Sequence, residues 1–366
     1  MTAERFMRRA LTLARRGTGR VSPNPLVGAV VVRDGVVVAE GWHRGFGLDH
    51  AEVDALRRLG GRADGCDLYV NLEPCCHRDK KTPPCTDALL ASGIRRVVCG
   101  MVDPNPRVSG QGIATLRAGG VEVETGVLED ECRRLNAPFA RWIASGRPFV
   151  TLKLAATIDG RIAERGGNSR WISSPESRRL VHRMRAACDA VLVGGGTVRQ
   201  DDPLLLPTLA RAARTPLRVV LDGRLDVPDG ARLLATVADG PVLLVGSSGA
   251  DPARREALRA RGVEVACVPG EGDIVAAADL LDLLGRRGVT SVLAEGGAAV
   301  AASLLAARAV DRLVVFVAPL LLGDPLARPI VDDLGIRALA NGLRFRIEGI
   351  RRCGPDAMIE FVPESP

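Results

Sequence analysis

The chain has 366 residues, 46% apolar and 25% charged, with a formal charge of +7. That length exceeds one ordinary core and points to two domains, and the balanced composition excludes a disordered or fibrous chain. The positive charge suits nucleic acid and small phosphorylated ligands alike, but aromatics are only 3% of the residues, too few for the stacking platforms of a single-stranded nucleic-acid binder.

At the start, Phe6, Met7, Ala10, Leu11 and Ala14 recur at helical spacing among arginines, which predicts an amphipathic helix rather than a secretory signal. Residues 28–32 and 36–39 read as a hairpin around Asp34-Gly35, a favoured turn pair. A helix over about 50–59, a strand over 68–72, a helix over 86–92, a strand over 96–100, a helix over 111–118 and a strand over 121–125 follow. One further helix is expected over about 129–144, stopped at Ser145-Gly146-Arg147-Pro148. The domain boundary is placed there, giving domains 1–145 and 146–366. The alternation then restarts, with buried strands expected over 149–155, 190–193, 217–221, 242–245, 263–267, 291–294 and 313–317. Helices fall between most of them, such as 175–187 and 298–307, and 207–216 reads as a surface loop. Both halves are therefore α/β layer folds.

The nine cysteines are odd in number and scattered, which is not a secreted disulfide framework. No apolar run reaches transmembrane length. A cytoplasmic protein is expected, with thiols reduced and able to hold metal.

Chemistry concentrates in the first half. His50-Ala51-Glu52 opens a helix, Pro74-Cys75 follows a strand, and Cys85 comes after a short insert. One imidazole and two thiolates suit Zn²⁺, and three protein ligands leave a fourth position for water. Bound zinc lowers the pKa of water to roughly 7. Glu52 stands two residues past a ligand, placed to move that water's proton to a ring nitrogen and then to a departing amine. His-x-Glu followed by Pro-Cys is the zinc-deaminase pattern. A structural zinc site completed by Cys76 or His77 is the alternative, but it has no use for Glu52. Cys76, Cys99 and Cys188 read as small buried hydrophobes, and Asn24 between prolines reads by itself as a turn residue.

In the second half no Gly-x-Gly-x-x-Gly occurs. Gly194-Gly195-Gly196 and Glu295-Gly296-Gly297 each follow a strand and precede a helix or turn, so each can let a phosphate approach the backbone. Two tight turns without a ligand are the equal alternative on spacing alone.

The stretch Glu73-Pro74-Cys75-Cys76-His77 through Lys81-Thr82-Pro83-Pro84-Cys85 resembles the bifunctional riboflavin-biosynthesis deaminase–reductase family, with one extra residue near Asp79-Lys80. Pro23-Asn24-Pro25, Gly41-x-His43 and Asp103-Pro104-Asn105-Pro106 are similar to the same family. So are Lys153-Leu154-Ala155, Asp159-Gly160-Arg161, Ser169-x-Trp171-Ile172, Thr197 with Asp201-Asp202-Pro203, and the Glu295 turn. The resemblance implies a cytidine-deaminase-like α/β/α domain followed by a dihydrofolate-reductase-like α/β domain. It implies zinc on His50, Cys75 and Cys85, with Glu52 catalytic. Asn24, His43, Lys81, Thr82, Asp103 and Asn105 would line the deaminase pocket. Ala155, Trp171, Thr197, Asp201 and Gly297 would touch NADPH, and Ser169, Arg185, Leu205 and Glu295 the ribosyl phosphate substrate. The implied reactions are deamination of 2,5-diamino-6-ribosylamino-4(3H)-pyrimidinone 5′-phosphate and reduction of its ribosyl group to ribityl. The implied partner is a phosphorylated pyrimidine, with no nucleic acid or membrane, and a homo-oligomer is compatible.

One departure from the family pattern bears on the reductase. Leu206 and Thr208 stand where the family carries threonine and a substrate-holding arginine, and Arg211 or Arg214 is a candidate substitute. The rival readings are a deaminase whose reductase half is impaired or lost, a nucleic-acid deaminase with an unrelated C-terminal domain, and a non-catalytic zinc scaffold.

Overall fold

In the computed structural model, which describes residues 2–78, 83–270 and 275–364, the chain divides into two units, Met1–Gly146 and Arg147–Pro366. In the first, α1 (Ala3–Ala14) buries Phe6, Met7, Ala10, Leu11 and Leu13 on one face. The hairpin β1 (Gly28–Arg33) and β2 (Val36–Trp42) turns at Asp34 and Gly35, both at positive φ, the backbone a two-residue hairpin needs. Then come α2 (Ala51–Arg57), β3 (Asp67–Val70), α3 (Cys85–Ala91), β4 (Arg96–Cys99), α4 (Gln111–Ala118) and β5 (Glu122–Thr125). The sheet order is β2-β1-β3-β4-β5, with β1 antiparallel to both neighbours and β3, β4 and β5 mutually parallel.

Strand alternation divides this unit's core between two faces. Ala29, Val31, Leu68 and Val70 pack with Ala51, Ala55, Leu89, Ile113 and Leu116. Val30, Val32 and Tyr69 pack with Phe6, Met7 and Leu11 on the other face. A sheet covered on both sides explains why its inner strands read as continuous apolar runs.

The single helix expected over 129–144 is instead two, α5 (Glu129–Leu135) and α6 (Ala137–Ser145). Pro138 occupies the first turn of α6, where a missing N–H costs least, and it could not continue α5. The break frees Asn136, whose side chain accepts from the Leu26 amide at 2.8 Å and donates to the Leu26 carbonyl at 3.0 Å. It thereby anchors the segment that carries Asn24.

The second unit contains β6 (Phe149–Ala156), β7 (Arg161–Ala163), α7 (Pro175–Ala187), β8 (Ala190–Gly194), α8 (Gly195–Asp201), β9 (Leu217–Leu221) and α9 (Arg232–Ala235). It continues with β10 (Val242–Ser247), α10 (Pro252–Arg259), β11 (Glu264–Val268), α11 (Ala277–Arg286), β12 (Ser291–Ala294), α12 (Ala298–Ala306), β13 (Arg312–Val317), β14 (Arg328–Pro329), β15 (Phe345–Cys353) and β16 (Asp356–Pro363). The large sheet runs β11-β10-β9-β8-β12-β6-β13-β16-β15, parallel from β11 to β13 and antiparallel in the last two pairs. After β8 the chain steps outward through β9, β10 and β11, then returns to insert β12 between β8 and β6. Strand order reverses there, and such a switch point opens a crevice at the carboxyl ends of the strands. The strands β7 and β14 and the β15–β16 hairpin go beyond the elements expected from sequence. Among the described residues, no helix is long and apolar enough to cross a membrane.

Candidate active sites

In the first unit a cavity of about 380 Å³ opens at the carboxyl ends of β3 and β4. His50, the residue before α2, and Cys75, beyond β3, both line it. Cys85 begins α3. His50 Nδ1 lies 3.4 Å from Cys75 Sγ and 3.2 Å from Cys85 Sγ, and the two sulfurs are 3.3 Å apart. Among the described residues this trio is the cluster able to hold a metal ion. Neither Cys76 nor His77 joins it, which removes the proposed fourth protein ligand. One nitrogen and two sulfurs converging on one point fit zinc, with a coordination position left for a small molecule. The Cys85 amide lies 3.5 Å from Cys75 Sγ, a donor that favours thiolate over thiol.

Glu52 is buried and faces the same cavity from the first turn of α2. His43 is also buried there. Its Nδ1 lies 2.9 Å from the Asp49 carbonyl and its Nε2 3.0 Å from Asn24 Nδ2. A carbonyl can only accept, so Nδ1 carries the hydrogen and Nε2 accepts from the Asn24 amide. Burial pushes the His43 pKa down and keeps the ring neutral, outweighing the Asp49 carbonyl. Asp103 and Asn105 form the far wall, with the Asn105 amide donating to Asp103 Oδ1 at 2.8 Å. Burial raises the Asp103 carboxyl to about 6. Glu73 holds this wall in place by accepting from the amides of Asp103, Gly110 and Ile113 at 2.9–3.1 Å. Phe46, Leu48, Phe139, Trp142 and Ile143 complete an apolar rim.

In the second unit a cavity of about 490 Å³ sits at the switch point. Lys153 and Ala155 reach it from β6, Val193 and Thr197 from β8 and α8, and Glu295, Gly296 and Gly297 from the end of β12. A Cβ on Gly296 would come within 2.5 Å of Val300, and one on Gly195 within 2.4 Å of Asp222, so both turns need glycine to pass this close. At Gly297 a Cβ would meet only Thr197 Oγ1, at an ordinary contact distance of 3.8 Å, and both residues line the cavity. Ser169 Oγ donates to Asp201 Oδ1 at 3.0 Å. Arg185 grips Glu295 with two bonds of 2.6 and 2.8 Å. Burial alone would raise the Glu295 carboxyl, but the Arg185 charge and hydrogen bonds outweigh it and hold the pKa below the ordinary value. Trp171 stands exposed with the Arg178 guanidinium 4.3 Å from its ring.

Comparison with known proteins accounts for both cavities. Residues 148–359 match the RibD C-terminal domain, and residues 1–101 match the cytidine and deoxycytidylate deaminase zinc-binding region. The riboflavin biosynthesis protein RibD of Aquifex aeolicus (strain VF5) is 41% identical over 356 residues, 97% of either chain. The Escherichia coli (strain K12) protein of the same name is 38% identical, over 99% of this chain and 100% of that one. The chain belongs to the RibD family. Solved RibD structures agree in fold: Acinetobacter baumannii RibD, form 1, superposes with a TM-score of 0.88 at 34% identity, over 99% of both chains. The Thermotoga maritima diaminohydroxyphosphoribosylaminopyrimidine deaminase/5-amino-6-(5-phosphoribosylamino)uracil reductase gives 0.86 at 37% identity, over 99% of this chain and 98% of that one. The fold is accordingly α/β with a cytidine-deaminase-like unit and a dihydrofolate-reductase-like unit. Like other RibD proteins, the chain is an enzyme joining a zinc-dependent deaminase to an NADPH-dependent reductase.

The RibD cavities gather most of the residues singled out from sequence. Asn24, His43, His50, Glu52, Cys75, Asp103 and Asn105 line the first. Lys81 and Thr82 lie outside the described residues. Ala155, Ser169, Trp171, Arg185, Thr197, Asp201, Leu205, Glu295 and Gly297 all line the second. Arg214 does not substitute for a cavity cation, because its guanidinium is bound to Asp189, and Arg211 is likewise absent from the lining. Sequence reasoning missed Glu73, although it belongs to the Glu73-Pro74-Cys75 motif, and it missed Arg170, Arg178, His182 and Arg232 in the second cavity.

Proposed function

We propose that this chain deaminates 2,5-diamino-6-ribosylamino-4(3H)-pyrimidinone 5′-phosphate in its first cavity and reduces the ribosyl group of the product to ribityl in its second. The observation that carries the reading is the convergence of His50, Cys75 and Cys85 at the wall of the cavity that buried Glu52 also lines. Those three residues would hold zinc, which when bound makes water a competent nucleophile near neutral pH. Glu52 carries two protons in turn, one from the water to the ring nitrogen and one from the resulting ring-carbon hydroxyl to the leaving amine, so that water and aminopyrimidine become a ring carbonyl and ammonia. Asn24 and neutral His43 offer a fixed donor–acceptor pair to the polar ring, and Asp103 with Asn105 supports its opposite edge. The apolar rim of Phe46, Leu48 and Trp142 limits water around the exchange.

The second cavity supplies binding and orientation. The Gly296–Gly297 turn, with Ala155, Thr197 and Asp201, cradles NADPH, which supplies the hydride. Trp171 stacks against it, backed by Arg178. Ser169, Leu205 and the Arg185–Glu295 pair orient the sugar. The coupled tests are zinc analysis with ammonia release from the pyrimidine substrate, followed by NADPH oxidation with the deaminated product. Zinc-free protein that deaminates at full rate would sink the first half of the reading, and absence of NADPH oxidation at saturating substrate would sink the second. The cytosol is the proposed location, since the cluster needs reduced thiols.

A further inference from the structure

On the proposed function, on which this inference rests, the reductase cavity must seat a sugar phosphate. A dianionic phosphate needs a cation that is not already neutralised. The cavity lining contains several cations, and most are committed elsewhere. Arg185 is paired in bidentate fashion with Glu295. Arg178 donates to the Ser173 carbonyl at 2.5 Å and lies over Trp171. Arg170 donates to the Asp201 carbonyl and also flanks Trp171. Lys153 sits 5.7 Å from the centre of the Phe316 ring, within the field of Glu295. Leu206 and Thr208 contribute wall but no charge.

Arg232 differs from all of these. It lines the cavity and is exposed, and its guanidinium makes no hydrogen bond or ion pair with any described residue. Its backbone is nonetheless fixed. The Arg232 amide donates to Asp202 Oδ1 at 2.7 Å, and Asp202 is held at φ 41° where α8 ends. The residue before it, Asp201, binds Ser169. The rim that carries the sugar-facing Ser169 hydroxyl, held by the cofactor-side Asp201 carboxylate, therefore also roots the free guanidinium. We propose that Arg232 receives the phosphate monoester of the reductase substrate. An exposed guanidinium loses little hydration before binding, and its planar fork matches phosphate oxygens in pairs.

The experiment uses the full chain as wild type, Arg232→Ala and Arg232→Lys, each checked for an unchanged unfolding midpoint. Calorimetric titration with D-ribose 5-phosphate, and separately with adenosine 2′-monophosphate, tests the two phosphates the cavity would meet. Steady-state NADPH oxidation then gives KM for the phosphorylated substrate and for NADPH. Arg232→Ala should weaken ribose 5-phosphate binding and raise substrate KM about ten- to a hundredfold, the worth of a charge-assisted hydrogen bond. NADPH KM and adenosine 2′-monophosphate binding should not move, and Arg232→Lys should recover part of the loss. Unchanged ribose 5-phosphate binding in Arg232→Ala overturns the proposal. So does a loss confined to NADPH and adenosine 2′-monophosphate, which would assign the residue to the cofactor's phosphate. A wild type that binds ribose 5-phosphate through Arg232 but never oxidises NADPH would leave the phosphate site standing while the reductase reading fails.

Discussion

The two cavities solve different problems with different kinds of parts. The deaminase cavity places its chemistry on a handful of groups between His50 and Cys85, all delivered by two helix starts and one strand end. A metal dictates the identity of its ligands, so those positions admit few residue types. The reductase cavity draws its lining from Lys153 to Gly297, across the ends of β6, β8 and β12, and relies on backbone approach, a neutralised ion pair and open space. A site of the first kind should fail abruptly when one atom changes. A site of the second kind should decline in steps.

The largest effect is expected at the metal cluster. Cys85→Ser exchanges a soft thiolate for a hydroxyl and should cost zinc and deamination together. The rate should fall by about a hundredfold or more, since Lewis-acid activation is worth several kcal/mol. Metal content and ammonia release measured on one preparation decide it. Retained zinc with normal turnover would mean that Cys85 is a bystander and that the abrupt-failure picture is wrong. Next comes Glu52→Gln, nearly isosteric but unable to take a proton. Zinc should stay while kcat drops about 10²- to 10⁴-fold, the usual contribution of a general base. Turnover near wild type would move the role to another group in the cavity.

The distributed cavity should respond more gradually. Glu295→Gln leaves the Arg185 guanidinium, 15% exposed, without its counter-charge. Breaking a buried pair on one side costs about 3–5 kcal/mol, so unfolding of the second unit should shift before chemistry does. The pH dependence carries a sign. Glu295 is depressed in the folded chain, so as pH falls the unfolded chain binds this proton first, and wild type loses stability below the ordinary glutamate range. The glutamine variant should lack that share of the acid sensitivity. Identical acid unfolding of the two proteins would show that the pair contributes no net stability.

The same contrast explains what could be read from sequence. His50, Glu52, Cys75 and Cys85 were legible because metal chemistry constrains residue type and spacing at once. The hairpin at Asp34-Gly35 and the inner strands were legible because turn chemistry and two-sided burial leave local marks. The helix break at Asn136 was present in Pro138 but hidden under a continuous helical pattern. The β15–β16 hairpin escaped because β15 is largely exposed and rich in arginine, so no apolar alternation announced it. Arg232 had no local signal at all. Its place depends on a backbone bond to Asp202, thirty residues earlier, which only the folded chain reveals.

The smallest effect is the most useful for separating the two kinds of site, because it concerns an arginine close in sequence to the cavity wall but turned away from it. Arg214 is bound to Asp189, and Asp189 also accepts from the Thr290 amide at 2.8 Å, the Thr290 hydroxyl at 2.7 Å and the Ser291 amide at 3.2 Å. Asp189 thus ties the start of β8 to the start of β12, the two strands whose far ends build the cavity. Removing Arg214 leaves those three bonds in place, and the arginine side chain is 39% exposed, so solvent screens much of the lost attraction. Arg214→Ala should therefore cost about 1 kcal/mol of stability or less. KM for the phosphorylated substrate should stay within about twofold, under half a kcal/mol. Thermal unfolding and NADPH oxidation on the same sample check both halves of the expectation. A tenfold rise in substrate KM with little change in unfolding would mean that the 207–216 segment folds over the cavity during turnover and brings Arg214 to the phosphate. The distributed site would then extend along this loop beyond Thr208 and Leu209, the part of it that lines the cavity in this structure.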